Sequence, residues 1–243
     1  MSDALVESRD GGAADDLLSR LQGRLIVSCQ AYPGEPMQDA ETMARVARSA
    51  ELGGAAGIRA QGLDDIAWIR RSVDIPVIGL LKVGASGVFI TPTVTDALAV
   101  AHAGAHIVAL DATRRPRPDG GSLRSIVDAV HSETGALVLG DVGSMADAAA
   151  AVDAGVDAVA TTLAGYTDER PSDGGPDIAL VAELASSLSV PVLAEGRIHT
   201  PEQARRVLEA GAYAVVVGTA ITHPRSITSW FSSAMQAGNG PAR

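Results

Sequence analysis

One motif recurs four times along this chain and limits the folds open to it. Small residues and glycine are followed at once by an apolar run, as GGAAGIRA from Gly53, AGAHIVAL from Ala103, AGVDAVAT from Ala154 and AGAYAVVV from Ala210. Glycine most easily takes the left-handed conformation that ends a helix, so each copy predicts a helix C-terminus and then a strand. The second position of each copy is a glycine, at residues 54, 104, 155 and 211, with spacings of 50, 51 and 56 residues. This spacing predicts two βα units per repeat.

Strands and helices alternate along the whole chain. Short aliphatic or β-branched runs predict strands, and the longer segments between them have helical periodicity. The eight predicted strands are residues 25–29, 56–60, 77–81, 107–111, 137–141, 158–162, 192–195 and 214–218. The predicted helices are near residues 38–52, 63–72, 94–103, 122–133, 144–154, 176–188, 201–210 and 225–236.

Eight strands in four related pairs favour a closed (β/α)₈ barrel, the TIM-barrel fold, within the α/β class. An open doubly wound sheet is the alternative. The length of 243 residues suits a single domain of this kind. We expect the barrel to occupy residues 18–236, between a disordered tail at residues 1–17 and a flexible tail at residues 237–243.

Composition and charge exclude several kinds of partner. Aromatic residues make up only 3% of the chain, which leaves few side chains on which nucleic-acid bases could stack. The net charge of −10 would repel a polyanion, so both features argue against nucleic-acid binding. No apolar run reaches the roughly 18–20 residues of a membrane span, and the acidic N-terminus is unlike a signal peptide. The single cysteine, Cys29, excludes an internal disulfide, and we expect a cytoplasmic protein.

Lys82 is a candidate catalytic residue. Groups that carry out chemistry in this fold lie where the strands end, and Lys82 comes directly after the apolar run PVIGLL of the third strand. Its charge could pair with a substrate anion, or its amine could act as a base once burial lowers the pKa. Snorkelling of the side chain to solvent is the alternative.

The seventh strand ends in a second ionisable group, in the stretch VPVLAEGRIHTPEQA. Glu195 is expected to point inward as a proton donor or acceptor, and Gly196 would let the loop backbone approach a ligand closely. The alternative for Glu195 and Arg197 is an ion pair at the rim, which contributes little.

A phosphate site is expected at the end of the eighth strand. Gly218 and Thr219 lead into a predicted helical turn at residues 219–222. Phosphate often binds backbone amides after strands 7 and 8 in this fold, because unpaired N–H groups and the helix dipole favour an anion. The ligand is therefore expected to be a phosphorylated small molecule. The five histidines lack the spacing of a zinc site, so we expect no metal ion.

Several strings of the sequence, read together, resemble one known family. They are IVSCQA, GIRA, PVIGLLK, ITPT, ALDAT, RPRPDG, TTLAGYT, AEGRI with TPEQA, and AVVVGTAIT, in order from about residue 25 to residue 231. The chain is similar to the N-acylglucosamine-6-phosphate 2-epimerases, also called N-acetylmannosamine-6-phosphate 2-epimerases. The resemblance implies an isomerase that interconverts N-acetylmannosamine 6-phosphate and N-acetylglucosamine 6-phosphate in amino-sugar and sialic-acid catabolism, without a metal or redox cofactor.

The resemblance also implies roles for individual residues. Lys82 corresponds to the catalytic lysine and Glu195 to its acid/base partner. The residues expected around the substrate are Gln30, Arg59, Asp141, Tyr166 and Arg197. The residues expected to bind phosphate are Gly196, Gly218, Thr219 and His223. His223 stands where family members often have an arginine that helps to hold the ligand anion.

Two other functions stay open at this point. A different phosphate-binding barrel enzyme, of the ribulose-phosphate epimerase or indole-glycerol-phosphate synthase type, would need metal-binding residues or more carboxylates and lysines at the strand ends. A non-catalytic sensor of a sugar phosphate is the other alternative, and it is favoured by His223 and the acidic tail. We expect a homodimer that binds a small-molecule sugar phosphate and neither nucleic acid nor membrane.

Overall fold

Eight parallel strands close into a barrel in the computed structural model, which describes residues 16–167, 169–170 and 174–237. The strands pair in sequence order, and β8 pairs with β1 to close the sheet. They are β1 (Leu25–Cys29), β2 (Gly57–Gln61), β3 (Val77–Leu80), β4 (Ile107–Asp111), β5 (Leu137–Asp141), β6 (Ala158–Ala160), β7 (Val192–Glu195) and β8 (Ala214–Val217). The closed sheet confirms the predicted (β/α)₈ barrel and excludes the open sheet.

Helices alternate with these strands. They are a helical stretch α1 at residues 16–19, α2 (Ala40–Leu52), α3 (Leu63–Ser72), α4 (Val94–His102), α5 (Leu123–Thr134), α6 (Met145–Asp153), α7 (Ile178–Ser187), α8 (Pro201–Glu209), α9 (Thr219–Thr222) and α10 (Pro224–Ala237). Side chains that precede a helix accept hydrogen bonds from its first turn, as those of Thr93 and Thr200 do in two complete capping boxes. The sequence Thr-Pro therefore starts α8 as its residue types predict.

The recurring motif has the conformation that its glycines predict. The φ angles of Gly54, Gly104, Gly155 and Gly211 are 99°, 108°, 94° and 104°, in the region that side chains with a β-carbon rarely adopt. Each glycine therefore ends one helix and turns the chain toward the next strand.

Alternation along each strand separates two apolar layers and also positions the polar groups. Inward-facing side chains such as Leu139 and Leu193 fill the barrel, whereas Val138 faces outward against the helices. Because every second residue of a strand shares a face, Asp141 follows Leu139 inward and Glu195 follows Leu193. The barrel interior is thus apolar along its length and polar at the carboxyl ends of the strands.

Some predicted boundaries were wrong by one or two residues. The sixth strand ends at Ala160 rather than at residue 162, because Thr161–Leu163 form a 3₁₀ turn. The described helical stretch at residues 16–19 overlaps the last positions of the expected tail. The remaining positions of the two predicted tails, residues 1–15 and 238–243, lie outside the described residues. No helix in the described part of the chain is long and apolar enough to cross a membrane.

Candidate active site

A cavity of about 290 Å³ opens at the carboxyl ends of the strands. All but one of the predicted site residues line it, namely Gln30, Arg59, Lys82, Tyr166, Glu195, Gly196, Arg197, Gly218, Thr219 and His223. The exception is Asp141, which is fully buried and contacts the side chain of Arg59 instead. The closed barrel therefore brings residues from six different strands, or from the loops that follow them, to one cavity.

Arg59 joins two carboxylates at the inner end of this cavity. Its Nη1 and Nη2 donate to Oδ1 and Oδ2 of Asp141 at 3.0 and 2.6 Å, and Nη1 lies 3.0 Å from Oε2 of Glu195. Arg59 is 1% exposed and Asp141 is 0% exposed. Because a buried charge is costly unless it is paired, the two carboxylates hold the guanidinium in place and Arg59 fixes Glu195 beside it.

The ammonium group of Lys82 approaches from the opposite side of the barrel. Three strands separate β3 from β7 in either direction around the closed sheet. Nζ of Lys82 donates to Oε1 of Gln30 at 2.9 Å, and Nε2 of Gln30 donates to Oγ of Ser28 at 2.7 Å. Burial and the positive charge of Arg59 lower the pKa of Lys82, against the opposing effect of the nearby carboxylates. The fraction of neutral amine that can accept a proton is therefore increased.

Glu195 faces the same cavity with only 13% of its side chain exposed. Burial raises its pKa to about 7, although the positive charge of Arg59 opposes this shift. The hydroxyl of Thr161 accepts a hydrogen bond from the Glu195 N–H at 3.1 Å and donates to the Glu195 carbonyl at 3.0 Å. These bonds fix the backbone of Glu195, and its carboxyl group can give or take a proton near neutral pH.

The loop after β7 is held by Arg197. Gly196 and Arg197 have φ angles of 112° and 53°, and the second value is strained for a residue with a side chain. Arg197 donates from Nε to the carbonyl of Gly175 and from Nη1 to the carbonyl of Ala164, both at 2.7 Å. Its guanidinium also lies over the ring of Tyr166, 5.4 Å from the centroid. Arg197 thus joins the loops after β6 and β7, and its part in ligand binding stays a prediction.

His223 follows the short helix α9, whose bounds agree with the predicted turn at residues 219–222. The ring is 7% exposed, and both nitrogens are engaged at 2.7 Å, Nδ1 by Oγ of Ser226 and Nε2 by Oε2 of Glu35. Tyr32 packs edge-on against it, with ring centroids 4.8 Å apart. A direct bond from His223 to a phosphate would therefore have to replace one of these contacts.

Sequence reasoning missed several residues that line the cavity, among them Ser28, Tyr32, Phe89 and Thr162. Ser28 lies two residues before Gln30, so counting along the inward face could have found it. Thr162 belongs to the 3₁₀ turn after β6, where strand periodicity does not apply. Tyr32 and Phe89 lie outside the strands, where no such periodicity applies. Among the described residues, no group of three or more His, Cys, Asp or Glu side chains could hold a metal ion.

Comparison with known proteins identifies the family. Residues 43–237 match the model of the family described as "Putative N-acetylmannosamine-6-phosphate epimerase". A relative from Cutibacterium acnes is 50% identical over 93% of this chain and 99% of its own length. A relative from Caldanaerobacter subterraneus subsp. tengcongensis is 46% identical over 89% of this chain and 92% of its own length. Both are named "Putative N-acetylmannosamine-6-phosphate 2-epimerase". The chain belongs to this epimerase family.

Solved structures agree with the assignment. The N-acetylmannosamine-6-phosphate 2-epimerase from Clostridium perfringens is 37% identical, with a TM-score of 0.87 over 96% of this chain and 99% of that one. A thiamine phosphate pyrophosphorylase from Pyrococcus furiosus, at 18% identity and a TM-score of 0.60, shares the fold alone. These findings confirm the family that the sequence strings predicted.

Proposed function

We propose that this member of the family is a sugar-phosphate 2-epimerase that interconverts N-acetylmannosamine 6-phosphate and N-acetylglucosamine 6-phosphate, in amino-sugar and sialic-acid catabolism. The observation that carries the proposal is that Lys82 and Glu195, from opposite strands β3 and β7, line one cavity. The two sugars differ only in configuration at C2. A planar intermediate bound between Lys82 and Glu195 could exchange a proton at C2 with either side chain.

The chemistry requires a base, a proton source and a group that stabilises negative charge. In the open-chain sugar, C2 lies next to the C1 carbonyl, so its proton can be removed to give an enolate-like species. Return of a proton to the opposite face inverts the centre. The proton is removed and returned with no net oxidation, so the proposed step needs no redox cofactor.

We assign the base to Lys82 in one direction. Its lowered pKa suits proton removal, and the hydrogen bond to Gln30 orients Nζ. Glu195, with its pKa raised to about 7, assists ring opening and proton return. The positive charges of Arg59 and protonated Lys82 favour negative charge on the oxygen of the intermediate. The assignment leaves open which of the two side chains acts on which face of C2.

The 6-phosphate is proposed to bind where the loops after β7 and β8 meet. Gly196 and Gly218 line this part of the cavity, and Thr219 starts α9. The first amides of a helix have no partner within it and favour an anion. Tyr166, Arg197 and His223 line the same cavity, and we propose that they contact the substrate.

A conversion assay tests the function. Purified protein is incubated with N-acetylmannosamine 6-phosphate and, separately, with the unphosphorylated sugar, and the product is identified by NMR. The proposal requires N-acetylglucosamine 6-phosphate from the phosphorylated sugar and a much slower reaction without the phosphate. Thermal stabilisation by the sugar phosphate without any product would instead favour the sensor.

We also infer that the protein is a homodimer, because two apolar surfaces of the chain are left open. Helix α10 exposes 70% of Phe231 and 73% of Met235, which are four residues apart on one face, and 39% of the neighbouring Trp230. A groove of about 520 Å³ has a mainly apolar lining that includes the outward-facing Val215 and Val217 of β8. Exposed apolar patches of this kind mark interaction sites. A second copy of the chain has the same two surfaces, so two copies could cover each other's patches in a symmetric dimer.

The phosphorylated substrate also supports the expected location. A sugar phosphate is charged at neutral pH, and moving an unpaired charge into an apolar layer is very costly. The substrate therefore stays in the compartment where it is phosphorylated. We propose the cytoplasm as that compartment.

A further inference from the structure

Thr162 contacts both carboxylates of the site with a single hydroxyl group. Its Oγ1 lies 2.7 Å from Oδ1 of Asp141 and 3.1 Å from Oε2 of Glu195. The residue belongs to the 3₁₀ turn after β6, and its side chain lines the cavity. Nothing in the predicted site gives it a role.

One hydroxyl carries one hydrogen, so it can donate to only one of the two carboxylates at a time. If it donates to Asp141, its lone pairs face Glu195, and the contact is favourable only when Glu195 is protonated and donates to Oγ1. If Glu195 is ionised, rotation about the Thr162 Cβ–Oγ1 bond lets the hydroxyl donate to Glu195 instead. Asp141 keeps two hydrogen bonds from Arg59 in either case.

We propose that Thr162 is a positioning residue for Glu195. The Thr162 hydroxyl donates a hydrogen bond to the ionised Glu195 carboxylate and accepts one from the protonated carboxyl group. Reorientation of a hydroxyl moves no heavy atom, so Glu195 can change its protonation state without rearranging the buried ion pair. This inference rests on the proposed function, in which Glu195 is the acid/base partner of Lys82. It gives Glu195 a hydrogen bond whose direction changes with the protonation state of the carboxyl group.

Three charged groups also face Glu195. They are Arg59 from β2, Asp141 from β5 and Lys82 from the end of β3. Burial and Asp141 raise the pKa of Glu195, whereas Arg59, the Thr162 hydrogen bond and Lys82 lower it. Removal of the Thr162 hydroxyl is therefore expected to raise this pKa further.

The experiment follows the Glu195 carboxyl group directly. The enzyme is labelled with ¹³C at the glutamate side-chain carboxyl carbons, and the Glu195 signal is assigned by its absence in Glu195→Gln. Its titration midpoint is then compared among wild type, Thr162→Val, Thr162→Ala and Thr162→Ser. We expect an upward shift of about one pH unit in the first two variants, because the hydroxyl's hydrogen bond to the ionised carboxylate is stronger than its bond to the protonated form. Thr162→Ser, which keeps the hydroxyl, restores the wild-type midpoint.

Thr161→Val is the matched control, because the Thr161 hydroxyl contacts only the backbone of Glu195 among the described contacts. It should lower the melting temperature and leave the Glu195 midpoint unchanged. The rate of C2 deuterium incorporation is measured in parallel and should fall about tenfold in Thr162→Val, the equivalent of roughly 1.4 kcal/mol. An unchanged midpoint in Thr162→Val and Thr162→Ala, or an equal shift in Thr161→Val, overturns the inference. Absence of C2 exchange in the wild type counts against the proposed function, whereas the titration still decides the role of Thr162.

Discussion

Both carboxylate oxygens of Asp141 accept hydrogen bonds from the terminal nitrogens of Arg59, at 3.0 and 2.6 Å, within the carboxyl end of the barrel. The bidentate geometry fixes the guanidinium, whose Nη1 also lies 3.0 Å from Oε2 of Glu195. Asp141 thus holds the guanidinium of Arg59 at the inner end of the cavity, where Arg59 orients the carboxyl group of Glu195.

Removal of Asp141 is expected to destabilise the fold. Asp141→Ala leaves the guanidinium of Arg59 buried with only Glu195 as a charged partner, and breaking a buried ion pair costs about 3–5 kcal/mol. The free energy of unfolding, measured by urea denaturation, checks this value. Arg45→Ala is the control, because it breaks an ion pair with Glu41 whose side chains are 72% and 53% exposed, and should cost less than about 1 kcal/mol. Equal losses in the two variants would contradict the structural role of the buried pair.

Lys82 is the only lysine in the sequence, so its ammonium group can be titrated alone. Burial and Arg59 are expected to hold its pKa below the ordinary value of about 10.4. Protein labelled with ¹³C at the lysine side chain gives one side-chain signal, whose midpoint is read by NMR in the folded state and in urea. A lower midpoint in the folded state is expected. A folded midpoint at or above the value in urea would remove the argument for Lys82 as the base.

The homodimer is expected to depend on the apolar face of α10. Light scattering after size-exclusion chromatography should give twice the chain mass of 24.7 kDa for the wild type. Phe231→Glu buries a charge at the proposed interface and should shift the protein to monomer. Leu52→Glu is the matched control, because Leu52 is 74% exposed on α2 and lies outside the proposed surfaces. A monomeric wild type, or a dimeric Phe231→Glu variant, would contradict the proposed assembly.

The fold was predictable because its signals are local. Each strand is a short apolar run, and each of four helix-to-strand junctions contains a glycine that takes a positive φ angle. The predicted strand ends also located Lys82 and Glu195, since the last inward-facing position of a strand in this fold borders the cavity.

Other parts of the site depend on contacts that sequence alone does not give. Arg59 and Asp141 are 82 positions apart, and no periodicity pairs them. His223 and Glu35 are 188 positions apart, so the hydrogen bond between them could not be predicted from the sequence either. Thr162 was missed for a different reason, because the sixth strand was predicted to run through it and its place in a 3₁₀ turn was not foreseen.

The central claim is that Lys82 is the base that acts on the C2 proton in one direction, and exchange with solvent tests it most directly. The enzyme is incubated with N-acetylmannosamine 6-phosphate in D₂O, together with the variants Lys82→Ala and Lys82→Arg. The arginine variant keeps the positive charge but cannot act as a base at neutral pH. The wild type is expected to give N-acetylglucosamine 6-phosphate with deuterium at C2, and both variants are expected to give no deuterium above the uncatalysed background. Normal turnover and C2 labelling in either folded variant would contradict the assignment of Lys82 as the base.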